Sequence, residues 1–362
     1  MLRKIALTVM TVVTAAIALL MLWPQAVGAQ RAPGVAHIVS FRAVFALVAV
    51  VLVVLLLLIT LVWHRVRTVA AIFVVQLLLF ATVTGAILGT RGFGNDSASA
   101  AARENSGIVI LSWNTLGGSP GVERIAELAL RLNAQVVSLP ETTEHQTRRI
   151  AALMAAAGHP MAVHSLTFNR TAKSSSTSVL ISRNLGRYSI DTTRGSTSIL
   201  PTVVLIPEDA TNPTIVAAHP VAPVPGYFSA WQRDLLWLRG ICTGTNVILA
   251  GDLNSSLDHE SGLGNSDDAT IGDCRDAALA TGNAAVGTWP TRLPALLGTP
   301  IDHVMATPNW TISDFRVITS LDQTGSDHRP IMARLVPSTT LRTGALGAEG
   351  IRRLNAATER SG

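Results

Sequence analysis

Charge is scarce in this 362-residue chain, at 14% of residues, and cysteine is nearly absent: Cys242 and Cys274 are the only two. Two thiols allow at most one intramolecular bridge, which export to an oxidising compartment would permit. It would tie the approach to a strand at 247–252 to the loop after it, the alternative being two unlinked thiols. The shortage of charge is also uneven. Residues 5–22, 43–63 and 69–90 carry almost none, and each run is long enough to cross a bilayer core of about 30 Å. These three runs lack a buried charge of the kind that marks an ion or substrate path, and Gln76 is their only amide, so anchoring is their simplest role. The net charge of +5 suggests a polyanion partner until it is divided by region. Residues 104–337 hold 16 Lys and Arg against 20 Asp and Glu, a net of −4, so the basic surplus sits in membrane flanks and tail. A basic groove that tracks nucleic acid has no support in that balance.

The first apolar run reads as a retained helix or, with Arg3-Lys4 before it and Val27-Gly28-Ala29 after it, as a signal peptide. Both versions place the loop 64–67 inside and everything after residue 90 outside. The expected organisation is a membrane anchor over 1–90, a linker over 91–105, a soluble domain over 106–337 and a disordered tail over 338–362.

No internal repeat is evident in the soluble domain. Short β-branched runs recur there, each ending in a polar residue: Asn114, Glu141, His219, the pair Asp252 and Asn254, the pair Asp302 and His303, and the group Ser326, Asp327 and His328. Helical spacing is predicted over 121–132, 143–157 and 228–240. Strands outnumber helices and the two alternate loosely, which points to an α/β domain of two packed sheets with helices outside.

Each polar residue has a plain structural reading. Asn114 and Glu141 suit helix or turn caps, Asp252 an Asx-turn, His219 a turn and His303 a satisfied interior histidine. Together they are chemically coherent. Glu141, with Asn114 and Asp327, offers hard oxygen ligands suited to Mg²⁺ or Mn²⁺ and poor for zinc. Asp252 suits the holding and deprotonation of water, Asn254 donation to a phosphoryl oxygen, and protonated His328 donation to the same group, with Asp302 fixing its tautomer.

The motifs SWNT, LPET, AAHP, AGDLNSS, PIDHV and GSDHRP, in this order, resemble the endonuclease/exonuclease/phosphatase superfamily over about residues 107–337. The resemblance implies a four-layer α/β/β/α sandwich, with divalent-metal-dependent hydrolysis of a phosphoester at one rim of the paired sheets. Position by position it assigns Asn114 and Glu141 to the metal side and Asp252 and Asn254 to water activation and phosphate orientation. Asp302 becomes the support of the histidine, and Asp327 and His328 the closing dipeptide. His219 falls where a histidine stands near the leaving group, as acid or phosphate ligand.

Trp289 is a candidate cover for substrate, and Arg292 and Lys173 are candidate anion anchors, each with a structural or solvated-surface alternative. The segment 221–234, VAPVPGYFSAWQRD, is either a hydrophobic lip facing the membrane or a loop leading into a helix. The substrate expected is a phosphoester, diester ahead of monoester, drawn from lipid headgroups, nucleic acid or small molecules. The competing readings are a surface nuclease and a non-catalytic sensor of a phosphorylated ligand. Besides the bilayer and this substrate, the sequence points to no protein partner.

Overall fold

The computed structural model describes residues 1–94 and 107–338; most of the expected linker and nearly all of the expected tail lie outside the described residues. Three helices are long and apolar enough to cross a membrane: α1 (Leu2–Leu22), α3 (Arg42–Val62) and α4 (Arg67–Arg91). A six-residue helix α2 (Val35–Ser40) lies between the first two and breaks at Phe41. The C-terminal ends of α1 and α4 and the N-terminal end of α3 share one side of the bundle, where Arg42 donates to the carbonyls of Met21 and Leu22.

The remainder is a sandwich. In chain order its elements are β1 (Ile108–Ser112), α5 (Val122–Leu132), β2 (Val136–Pro140), α6 (Glu144–Ala156), β3 (Met161–Thr167) and β4 (Ser176–Ser182). There follow β5 (Tyr188–Ile190), β6 (Val203–Pro207), β7 (Thr214–Ala218), α7 (Phe228–Ile241), β8 (Val247–Asp252) and α8 (Leu257–Glu260). The last are β9 (Arg275–Asp276), α9 (Ala277–Ala280), β10 (Asp302–Ala306), β11 (Trp310–Val317) and β12 (Ile331–Pro337). One sheet runs β11-β12-β1-β2-β4-β3 and the other β5-β6-β7-β8-β10-β9. Within each, one central pair is parallel, β1 with β2 and β7 with β8, and the other pairings are antiparallel.

The inner strands read as unbroken apolar runs because both of their faces are covered. Along β1, Ile108 and Ile110 face the opposite sheet, whereas Val109 and Leu111 face α5 and α6. Along β8, Ile248 and Ala250 join the inter-sheet core and Val247 and Leu249 pack on α7. Helices, two sheets and helices thus make the four layers that the resemblance implies. Helix α6 opens with a capping box in which Thr143 and Gln146 satisfy each other's backbone N–H. Glu141 is therefore not needed as its cap.

The packing brings the ends of β1, β2, β7 and β8, the start of β10 and the approach to β12 to one rim. Gly251 is required there: a Cβ on it would lie 1.9 Å from the Ala218 carbonyl oxygen, where β7 and β8 run side by side. The expected cysteine bridge is present, with Cys242 and Cys274 Cα atoms 5.8 Å apart.

Candidate active site

At this rim a chain of polar contacts crosses both sheets. Asp302 Oδ2 accepts from His328 Nδ1 at 2.9 Å, and His328 Nε2 lies 3.7 Å from Asp252 Oδ2. Asn114 Nδ2 donates to that same Asp252 oxygen at 3.0 Å and to Glu141 Oε1 at 3.1 Å. His219 Nε2 stands 4.0 Å from Glu141 Oε1, while its Nδ1 meets the Thr177 hydroxyl at 3.4 Å. Six strand ends thus deliver residues scattered over more than 200 positions of sequence to one place.

The backbone is strained where it matters. Glu141 and Asn254 adopt left-handed φ angles of 59° and 48°, and Leu116, two residues past Asn114, adopts 47°. Non-glycine residues in this region cost energy and persist where the surroundings over-determine them. For Asp252 the turn reading and the chemical one hold together: Oδ1 accepts from the Asn254 backbone N–H at 2.9 Å, closing an Asx-turn, and the turn fixes Oδ2 toward His328. Asn254 donates its amide to the Pro220 carbonyl at 3.0 Å. Ser326 is a brace, donating to the Asn114 carbonyl at 2.7 Å and accepting from the His328 backbone N–H at 3.1 Å.

Electrostatics follow from burial and crowding. Burial, then the neighbouring Asp302, raises the Asp252 carboxyl against the opposing pull of His328. Burial also raises Glu141, with Asp252 and Asp327 adding to the shift and the Asn114 hydrogen bond opposing it. For His328 burial lowers the pKa, but Asp302 and Asp252 outweigh it and lift it to about 10, so this imidazole is cationic at neutral pH. His219 is pushed down to about 4 by burial and is neutral. That suits a phosphate ligand better than a proton donor.

Asp252, Asp302 and His328 each bring a ligand atom within 4.8 Å of the others. The cationic His328 balances one of the two carboxylates, Asp302. Asp252 and, across Asn114, Glu141 are left without a compensating cation, while Asp327, bonded to Trp289, is not among the residues lining the cleft. Among the described residues no lysine or arginine lines the cleft, so this donor set fits a hard divalent cation.

The cleft is about 420 Å³ and holds Asn114, Glu141, His219, Asp252, Asn254 and His328. A larger hollow of about 520 Å³ beside Glu260 and Asn265 contains none of them. Trp289 also lines the cleft, donating from Nε1 to Asp327 Oδ2 at 2.8 Å. The structure does not bring Arg292 and Lys173 into the cleft: both are exposed, and Lys173 lies over Gly117 in the loop after β1. His303 is the satisfied interior histidine of its plain reading, bonded to Asp276 and to the Ser255 carbonyl. Sequence reasoning missed the wall formed by His37, Ser40 and Phe41, from the segment between the first two long helices. Nothing in its short, mixed composition announced it.

A model of the Endonuclease/Exonuclease/phosphatase family matches residues 111–328. Among solved structures, TDP2 from D. rerio complexed with single-strand DNA product is similar at 15% identity and TM-score 0.49, covering 64% of this chain and 99% of that one. A mannosyl-6-phosphatase from Bacteroides thetaiotaomicron is similar at 15% identity and TM-score 0.45, with coverages of 63% and 99%. The AP endonuclease LMAP from Leishmania major gives 14%, 0.47, 70% and 95%. No curated protein matches the chain.

Proposed function

Because the chain belongs to the endonuclease/exonuclease/phosphatase family, we propose that it is a membrane-anchored phosphoesterase that hydrolyses a phosphodiester, ahead of a monoester, by attack of water activated by Asp252. The observation that carries this reading is the chain of polar contacts Asp302, His328, Asp252, Asn114, Glu141 at one rim, hydrogen-bonded at every link but the 3.7 Å approach of His328 to Asp252. Asp252 Oδ2 takes the proton of the attacking water, and burial makes it a stronger base than an exposed carboxylate. Asp302 holds His328 in the Nδ1–H form and stabilises its charge, leaving the Nε2 proton for a phosphoryl oxygen. Neutral His219 and the Asn254 amide border the same phosphate position, and Trp289 covers it.

Glu141 and Asp327, with Asn114 beside them, would hold Mg²⁺ or Mn²⁺. A divalent ion there supplies charge neutralisation for the phosphoryl oxygens as negative charge builds up. The disulfide supports an extracytoplasmic position for the sandwich, since such bridges persist in oxidising compartments.

The test uses the full chain in detergent micelles with Mg²⁺ or Mn²⁺ and bis-(p-nitrophenyl) phosphate. Asp252→Asn should lower kcat by roughly 10²–10⁴-fold, the range for loss of a general base, and EDTA should abolish turnover. Turnover that survives both treatments would overturn the assignment.

A further inference from the structure

The sandwich alone does not enclose the cleft. One wall is the segment His37, Ser40 and Phe41, and the next residue, Arg42, opens the second apolar helix. The Phe41 ring lies 5.9 Å from that of Trp289, so the two roof the same opening. This segment is fastened down. Ala36 is fully buried in the core under α7, its carbonyl accepts from His259 Nε2 at 2.9 Å, and Gln232 donates to the Arg31 carbonyl at 2.8 Å.

The bundle end is fixed as well. Arg42 and Arg91, the first residue of α3 and the last of α4, both clasp Asp258 of α8. Backbone bonds from Ala284 to the Arg91 carbonyl and from Ala285 to the Gly92 carbonyl hold α4 against the sandwich. The level of Arg42 and Arg91 is therefore the edge of the apolar layer, and the cleft wall begins one residue beyond it. The cleft therefore opens beside the sandwich end of the apolar helices.

The lining matches that position. Away from the carboxylates the cleft is walled by Leu200, Val221, Val224, Tyr227, Ile301 and Phe41, and Val224 and Tyr227 are more than two-fifths exposed at its mouth. A nucleic-acid strand would need a track of cations along its phosphates, and the described lining holds no lysine or arginine, only the single His328.

We infer that the substrate is a phospholipid of the bilayer in which the chain is anchored, with its phosphoester at Glu141, Asp252 and His328 and its apolar part along Phe41, Val221, Val224 and Tyr227. This inference rests on the phosphoesterase reading above and on α1, α3 and α4 spanning that bilayer. In the step, the water oxygen bonds to phosphorus and one ester P–O bond breaks. One water proton passes through Asp252 and a proton is delivered to the leaving oxygen, giving a phosphomonoester and an alcohol.

The experiment reconstitutes the full chain into vesicles of phosphatidylethanolamine, phosphatidylglycerol and phosphatidylcholine with Mg²⁺ or Mn²⁺. Lipid products are read by phosphorus NMR, and bis-(p-nitrophenyl) phosphate and single-stranded DNA are assayed in parallel. Lipid of the protein-bearing vesicles should be consumed at least tenfold faster than isotope-labelled lipid in added protein-free vesicles. Phe41→Ser and Val224→Ser should lower the ratio of lipid to bis-(p-nitrophenyl) phosphate turnover at least tenfold. Turnover of the soluble diester with no lipid product, or DNA as the preferred substrate, overturns the inference and leaves the phosphoesterase reading standing. An unchanged ratio in both variants also overturns it. Turnover of nothing in the panel removes the phosphoesterase reading, and the lipid inference with it.

Discussion

Asp258 joins the apolar helices to the strand end that bears Asp252, and its removal should be among the most damaging single changes outside the relay. The carboxylate is 2% exposed and accepts four hydrogen bonds: two from Arg42 at 2.7 Å, one from Arg91 at 2.9 Å and one from Gln25 at 3.0 Å. Burial alone would raise its pKa, but the two guanidinium groups outweigh that and hold it far below the usual carboxylate range. Asp258→Ala strands two cations that are themselves 5% and 15% exposed. Breaking a buried pair by deleting one partner costs about 3–5 kcal/mol. For a domain of roughly 230 residues that is a Tm loss of about 6–20 °C. The assay is thermal unfolding of the full chain in nanodiscs, followed by tryptophan fluorescence, since Trp231 packs edge-on against the adjacent His259 at 5.1 Å. Combining Asp258→Leu with Arg42→Met and Arg91→Met should recover most of the loss, because apolar side chains pay no desolvation cost. A Tm change below about 2 °C in Asp258→Ala would refute the reasoning. Acid should reproduce the effect. A depressed carboxyl contributes stability above its unfolded pKa of about 3.9, and the contribution is lost as pH falls from there toward the folded value.

Two further outcomes are expected. His303 is raised to about 10, because Glu260 and Asp276 outweigh the effect of burial. Its contribution is therefore complete below about pH 6.5 and disappears as pH rises toward 10. The Tm of the native chain should fall over that window, and His303→Gln should flatten the fall; parallel slopes would dismiss the pair. Reducing the Cys242–Cys274 bridge, which closes a separation of 32 residues, should cost about 3–4 kcal/mol. Turnover at 25 °C should persist after reduction, since neither cysteine lines the cleft. Loss of activity without loss of fold would contradict the geometry.

Much of this molecule was legible in one dimension because its signals are local. An apolar run of bilayer length, a strand ending in a carboxylate and the helical spacing at 121–132 and 228–240 each depend on neighbours in the chain. Residues 122–132 and 228–241 form α5 and α7 accordingly. The polar strand ends could be recognised as a set because their order along the chain is the order of the motifs. The weaker expectations concerned Arg292 and Lys173, where charge type alone gave no location, and both lie outside the cleft.

The amino-acid sequence by itself determined which segments are apolar enough for a membrane and which strands end in polar residues, since composition and residue type fix these, and the order of its motifs determined the family. Only the tertiary structure decided that His328 is a cation paired with Asp302, because that depends on which buried charges stand within a few ångströms. It also decided that Phe41, some 70 residues upstream of Asn114, walls the same cleft, and that Asp258 fastens that cleft to the bundle. Contacts between segments so far apart follow from packing, and no local pattern encodes them.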